Sequence, residues 1–84
     1  MARLRKHMKY IMLDHPSVGD CPILFPVIFA HRDIAASLID KEKLVSAGFV
    51  YLDDNKVVAH DGSDSLGLKA RPQDAEIIQR FLLK

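Results

Sequence analysis

The stretch from Leu44 to His60 leaves this chain the least choice of fold. Leu44 to Leu52 reads as a strand with apolar side chains on both faces. Val45, Ala47, Phe49 and Tyr51 point one way, and Leu44, Ser46, Gly48, Val50 and Leu52 the other. Asp53-Asp54-Asn55-Lys56 is a turn signal, because Asp and Asn tolerate left-handed backbone angles. Val57-Val58-Ala59-His60 returns as the partner strand. If Leu52 pairs with Val57, then Val50 faces Ala59 and Phe49 faces His60. Gly48, in mid-strand, predicts a bulge or a close backbone approach.

The rest of the chain is organised around this hairpin. Tyr10-Ile11-Met12-Leu13 is a short apolar run closed by Asp14, His15 and Pro16, which predicts a strand. Ile23 to Phe29 is β-branched and aromatic and predicts another, placed at a sheet edge or broken by Pro26, which has no backbone donor. A first helix is expected from about Arg32 to Ile39, with Asp33 in its first turn and Ile34, Ala35 and Leu38 on one face. Asp40 to Lys43 is a charged connector. A last helix is expected from Pro72, whose fixed φ suits a first helical position. Its acidic start (Asp74, Glu76) and basic end (Arg80, Lys84) match the helix dipole. Ala75, Ile78, Phe81 and Leu82 form its expected buried stripe. The implied fold class is α+β: a small, mostly antiparallel sheet in the order β-β-α-β-β-α, with both helices on one face.

An 84-residue chain has room for one core. The domain is expected over 8–84, behind a disordered basic extension, 1–7. Basic and acidic residues number 12 and 11, so the overall excess that marks a dedicated nucleic-acid binder is missing. Arg3, Arg5, Lys6 and Lys9 crowd the start, and a start at Met8 would tip the balance to acidic. The single cysteine, Cys21, allows no internal disulfide, which points to a reducing compartment and a cytoplasmic protein. The apolar run from Cys21 to Ala30 is interrupted by Pro22 and Pro26 and is far short of the roughly 20 residues of a membrane span.

Residue types that carry chemistry are present but scattered. His7, His15, Cys21, His31 and His60 include no close ligand pair of the kind that structural zinc sites use, so no metal or other cofactor is expected. Asp14-His15 and His60-Asp61 each join an acid to an imidazole, but neighbours along a strand point apart. No glycine-rich elbow surrounds a serine. Gly62 to Lys69 has the wrong interval for a phosphate-binding loop. Ser63, Ser65, Lys69 and Arg71 remain as candidates for holding an anion near the start of the last helix; against this, the serines could simply make turn hydrogen bonds.

Lys9-Tyr10-Ile11-Met12, Pro26 to Phe29, Ser46 to Val50, Gly62 to Leu68 and Arg71-Pro72 to Ala75 resemble small uncharacterised proteins of bacterial and phage or prophage genomes. The resemblance covers 8–84 and implies a compact accessory protein; it brings no activity with it.

With 49% apolar residues in so short a chain, part of the apolar surface is expected to face a partner. The leading expectation is a non-catalytic interaction module that self-associates or docks on another protein. Val50, Leu52, Val57 and Ala59 would form the interface of a homodimer. Alternatively, Leu66 and Leu68 fold back as lids over the sheet face that the helices leave bare. The rival is a nucleic-acid-binding accessory protein using Arg3, Arg5, Lys6, Lys69 and Arg71.

Overall fold

A computed structural model describes residues 7–17, 19–37, 44–64 and 66–82. The elements run β1 (Met8–His15), β2 (Gly19–Pro26), α1 (His31–Ala36), β3 (Leu44–Asp53), β4 (Lys56–His60), β5 (Gly62–Ser63), β6 (Leu68–Lys69) and α2 (Asp74–Leu82). Four strands form one antiparallel sheet in the order β2-β1-β3-β4. The stretch expected as plain loop between β4 and α2 contains a separate two-stranded ladder, β5 with β6.

The β3–β4 hairpin has the anticipated register: Leu52 pairs with Val57, Val50 with Ala59 and Phe49 with His60. Asp54 (φ 51°) and Asn55 (φ 66°) both adopt left-handed angles. This is the two-residue turn whose twist matches that of its strands. Gly48 marks a close approach, since a Cβ there would stand 2.6 Å from the His60 carbonyl oxygen. The bulge lies elsewhere. The β1–β3 register slips between Met12 and Leu13, so Met12 faces Ser46 while Leu13 faces Leu44. The slip breaks the expected alternation: Val45 packs with Tyr10 and Val50, whereas Leu44 joins Ile11 and Ala47.

Both helices were expected on one face; instead the sheet is covered on both. Tyr10, Met12, Val50 and Val57 pack against Ile78 of α2. Ile11, Phe25 and Ala47 pack against Ala35 of α1, with Leu66 and Leu68 laid over the same cluster. The reason is alternation. Tyr10, Ile11 and Met12 are consecutive and all fully buried, and consecutive strand residues point to opposite faces, so both faces need a cover.

Three boundaries differ from expectation. β2 ends at Pro26, and Val27 to Phe29 leaves the sheet in a turn. α1 begins one residue earlier, at His31; it has no side-chain N-cap, and His31 Nε2 instead donates to the Gly48 carbonyl at 3.0 Å. So short a helix depends on such tertiary contacts. α2 starts at Asp74, after a turn holding Pro72 and Gln73. Phe81 and Leu82, expected in its buried stripe, remain 39% and 37% exposed, and Ile78 alone of the four is fully buried. Residues 1–6, the 40–43 connector and Ser65 lie outside the described residues.

Candidate functional site

The turn after β2 presents apolar side chains to solvent in an ordered frame. The Phe29 N–H donates to the Pro26 carbonyl at 3.1 Å and closes the turn. Lys9 of β1 donates from Nζ to the Phe29 carbonyl at 2.8 Å. The Asp33 N–H donates to the Ala30 carbonyl at 3.1 Å, so α1 begins directly behind the turn. In this frame Val27, Ile28 and Phe29 are 44%, 83% and 45% exposed. Three consecutive exposed apolar residues are unfavourable in water unless something covers them. The sequence expectation ran a strand to Phe29 or broke it at Pro26, and the strand ends at Pro26. An apolar run does not show where pairing stops, and Pro26 was the only signal.

Of the anion-site candidates, Ser63 and Lys69 line one cleft and Arg71 is not part of its lining. Ser63 is buried, and its Oγ accepts the Leu66 N–H at 3.3 Å, which is the turn role weighed against anion binding. Lys69 is exposed and lines a cleft of about 600 Å³ with Ser63, Phe49, Asp61, Asp64 and Leu68. Asp61 and Asp64 give this lining two carboxylates against one ammonium. Arg71 is committed elsewhere: Nε donates to Asp74 Oδ1 at 2.9 Å and Nη2 to Asp20 Oδ2 at 3.3 Å. Ser65 is not among the described residues.

The residues offered as a dimer patch are largely used within the chain. Val50 and Val57 are buried against α2, and Leu52 and Ala59 are half-buried beside them. That face is covered because the sheet keeps α2 to itself instead of sharing it with α1.

Asp74 is the one fully buried carboxylate among the described residues. It accepts the Tyr10 hydroxyl at 2.6 Å and the Arg71 N–H at 2.9 Å on Oδ2, and the Arg71 guanidinium on Oδ1. Burial works to raise its pKa, but these hydrogen bonds outweigh burial and hold the carboxyl below its ordinary value. Burial, reinforced by Asp74, pushes the Tyr10 phenol well above its ordinary range. With Pro72 next in sequence, the Asp74 bond to the Arg71 N–H is half of a capping box. The network is structural: its groups bond one another and, through Arg71, Asp20 of β2.

His60 and Asp61, expected to point apart, meet: His60 Nδ1 lies 2.9 Å from Asp61 Oδ2. Asp61 has a φ of 60°, and this left-handed kink ends strand alternation. The pair lacks a nucleophile. His60 Nε2 is buried without a hydrogen-bond partner among the described residues. The His60 ring stacks on Phe49 at 5.9 Å and meets His7 and Tyr51 edge-on at 5.0 Å and 5.5 Å. Among the described residues no cluster of His, Cys, Asp and Glu is arranged to hold a metal ion, and no helix is long and apolar enough to cross a membrane.

No family model, curated protein or solved structure matches the chain. The site must therefore be read from its own geometry.

Proposed function

We propose that the chain is a small non-catalytic interaction module that docks on another protein through the turn Val27-Ile28-Phe29. The observation that carries this reading is the 83% exposure of Ile28 at the tip of a turn hydrogen-bonded on both sides. A pre-ordered apolar tip loses little conformational entropy when it enters a pocket, and such anchors dominate binding energy. The fitting partner is a protein with an apolar pocket, met in the cytoplasm. The resemblance of 8–84 to small bacterial and phage proteins makes such cells the place to seek it. Of the residues named for a nucleic-acid role, Arg71 is occupied by Asp74 and Asp20, and Arg3, Arg5 and Lys6 lie outside the described residues.

A photo-crosslinking residue at position 28, in the full chain expressed in such a cell, tests the reading. The expected result is one recurrent cross-linked protein that is missing when the same probe replaces Asn55, an exposed polar residue of the hairpin turn. Indistinguishable cross-links from the two positions would defeat it.

A further inference from the structure

The two edges of the sheet are treated differently. In the hairpin, Asp53 and Lys56 flank a two-residue turn and therefore form a hydrogen-bonded pair. Counting along β4, Lys56, Val58 and His60 direct their backbone groups to β3, and Val57 and Ala59 direct theirs outward. The same count along β2 sends Asp20, Pro22, Leu24 and Pro26 outward, the side on which a proline costs no ladder bond. The β2 edge has thus lost two of those four N–H donors, which blunts it against further pairing. On β4 both outward N–H groups are intact, and among the described residues no backbone group outside the sheet bonds to them.

We infer that β4 is a self-pairing edge: two copies of the chain join β4 to β4, antiparallel about a two-fold axis at Val58, into one eight-stranded sheet. The register is self-complementary. Val57 of each copy meets Ala59 of the other, so every outward donor and acceptor is used, in four hydrogen bonds. Val58 faces Val58, apolar against apolar. Lys56 falls opposite His60 of the second copy and beside its exposed Asp61 carboxylate, so opposite charges meet there. With the axis normal to the sheet, the copies of α2, which rests on β4, lie on the same face of the joined sheet. Val57 and Ala59 thus return to a homodimer interface through their backbone, with their side chains under α2. This pairing is independent of the docking turn, which follows the opposite edge strand.

Sedimentation of the full chain from micromolar to millimolar concentration, with circular dichroism to verify folding, tests the inference. The wild type should reach twice the 9.5 kDa chain mass. Ala59→Pro removes one outward donor per copy, as Pro22 and Pro26 do in β2, and should weaken the dimer by about tenfold or more. Should that variant not fold, Val58→Lys and Val58→Glu decide. Each alone sets like charges against each other at the axis and should be monomeric; mixed in equal amounts they should pair. A wild type that stays monomeric at millimolar concentration overturns the inference. So does a dimer indifferent to both charge substitutions, or a Lys–Glu mixture that fails to associate.

Discussion

The Tyr10 hydroxyl donates a 2.6 Å hydrogen bond to Asp74 although 64 residues separate them, and this bond ties α2 to a central strand of the sheet. Both residues are fully buried. Tyr10→Phe leaves the carboxylate one donor short and is expected to cost about 1–3 kcal/mol in urea unfolding. Asp74→Ala removes the acceptor of the phenol and of the Arg71 N–H and leaves the guanidinium only Asp20, and should cost more, about 3–5 kcal/mol. Equal losses from the two substitutions would contradict the network.

Asp74 also sets an acid limit. Its folded pKa lies below the unfolded value of 3.8, so its contribution is complete above that value and is lost as pH falls through the folded pKa. Acid unfolding followed by circular dichroism should be less steep in Asp74→Asn than in the parent at the lowest pH. Parallel curves would show that the carboxylate is not the group being titrated.

His31 acts over a different pH window. Burial lowers its pKa below 6.5, against the opposing pull of the Gly48 carbonyl. Above 6.5 the imidazole is neutral in both folded and unfolded chains. Below that, the unfolded chain takes up a proton that the folded chain refuses, so stability falls with pH, by at most about 1.4 kcal/mol per unit. Melting temperatures of the parent and His31→Gln between pH 5 and 7 should diverge, with the parent the more pH-sensitive. Identical slopes would remove His31 from the account.

The last helix offers a packing contrast. Ile78→Ala opens a fully buried site and should cost about 2–5 kcal/mol. Phe81→Ala trims a ring that is 39% exposed and should cost clearly less, about 1 kcal/mol. Chemical denaturation of the two variants measures the difference, and a reversed order would mean that α2 docks by another face.

The hairpin turn is open to improvement. Asn55 holds a φ of 66°, which strains a side-chain-bearing residue but not glycine. Asn55→Gly should raise the unfolding free energy by about 0.5–1 kcal/mol, and Asn55→Ala should lower it. Thermal melts of both variants check the sign.

What the sequence determined by itself was local. Asp54 and Asn55 specify the turn, and with strand alternation they set the pairing of Leu52 with Val57 and Phe49 with His60, because a two-residue loop leaves one register. The dipole-matched charges from Asp74 to Arg80 placed α2 to within two residues of its start. Tertiary structure decided the rest. An apolar residue is equally content under α1 or α2, so the sequence did not say that the helices take opposite faces or that Val45 and Leu44 change sides at a bulge, and it left the closure of Leu66 and Leu68 over a sheet face as one of two alternatives. Nor did local pattern show that Val27 to Phe29 leaves the sheet, since the side chains that suit a buried strand are those that make an apolar docking tip. Arg71 read as a free cation because its neutralising partners are one residue three positions away and another 51 positions away. Charge pairing over such spans depends on how β2 and α2 meet in space, and no nearest-neighbour rule contains that.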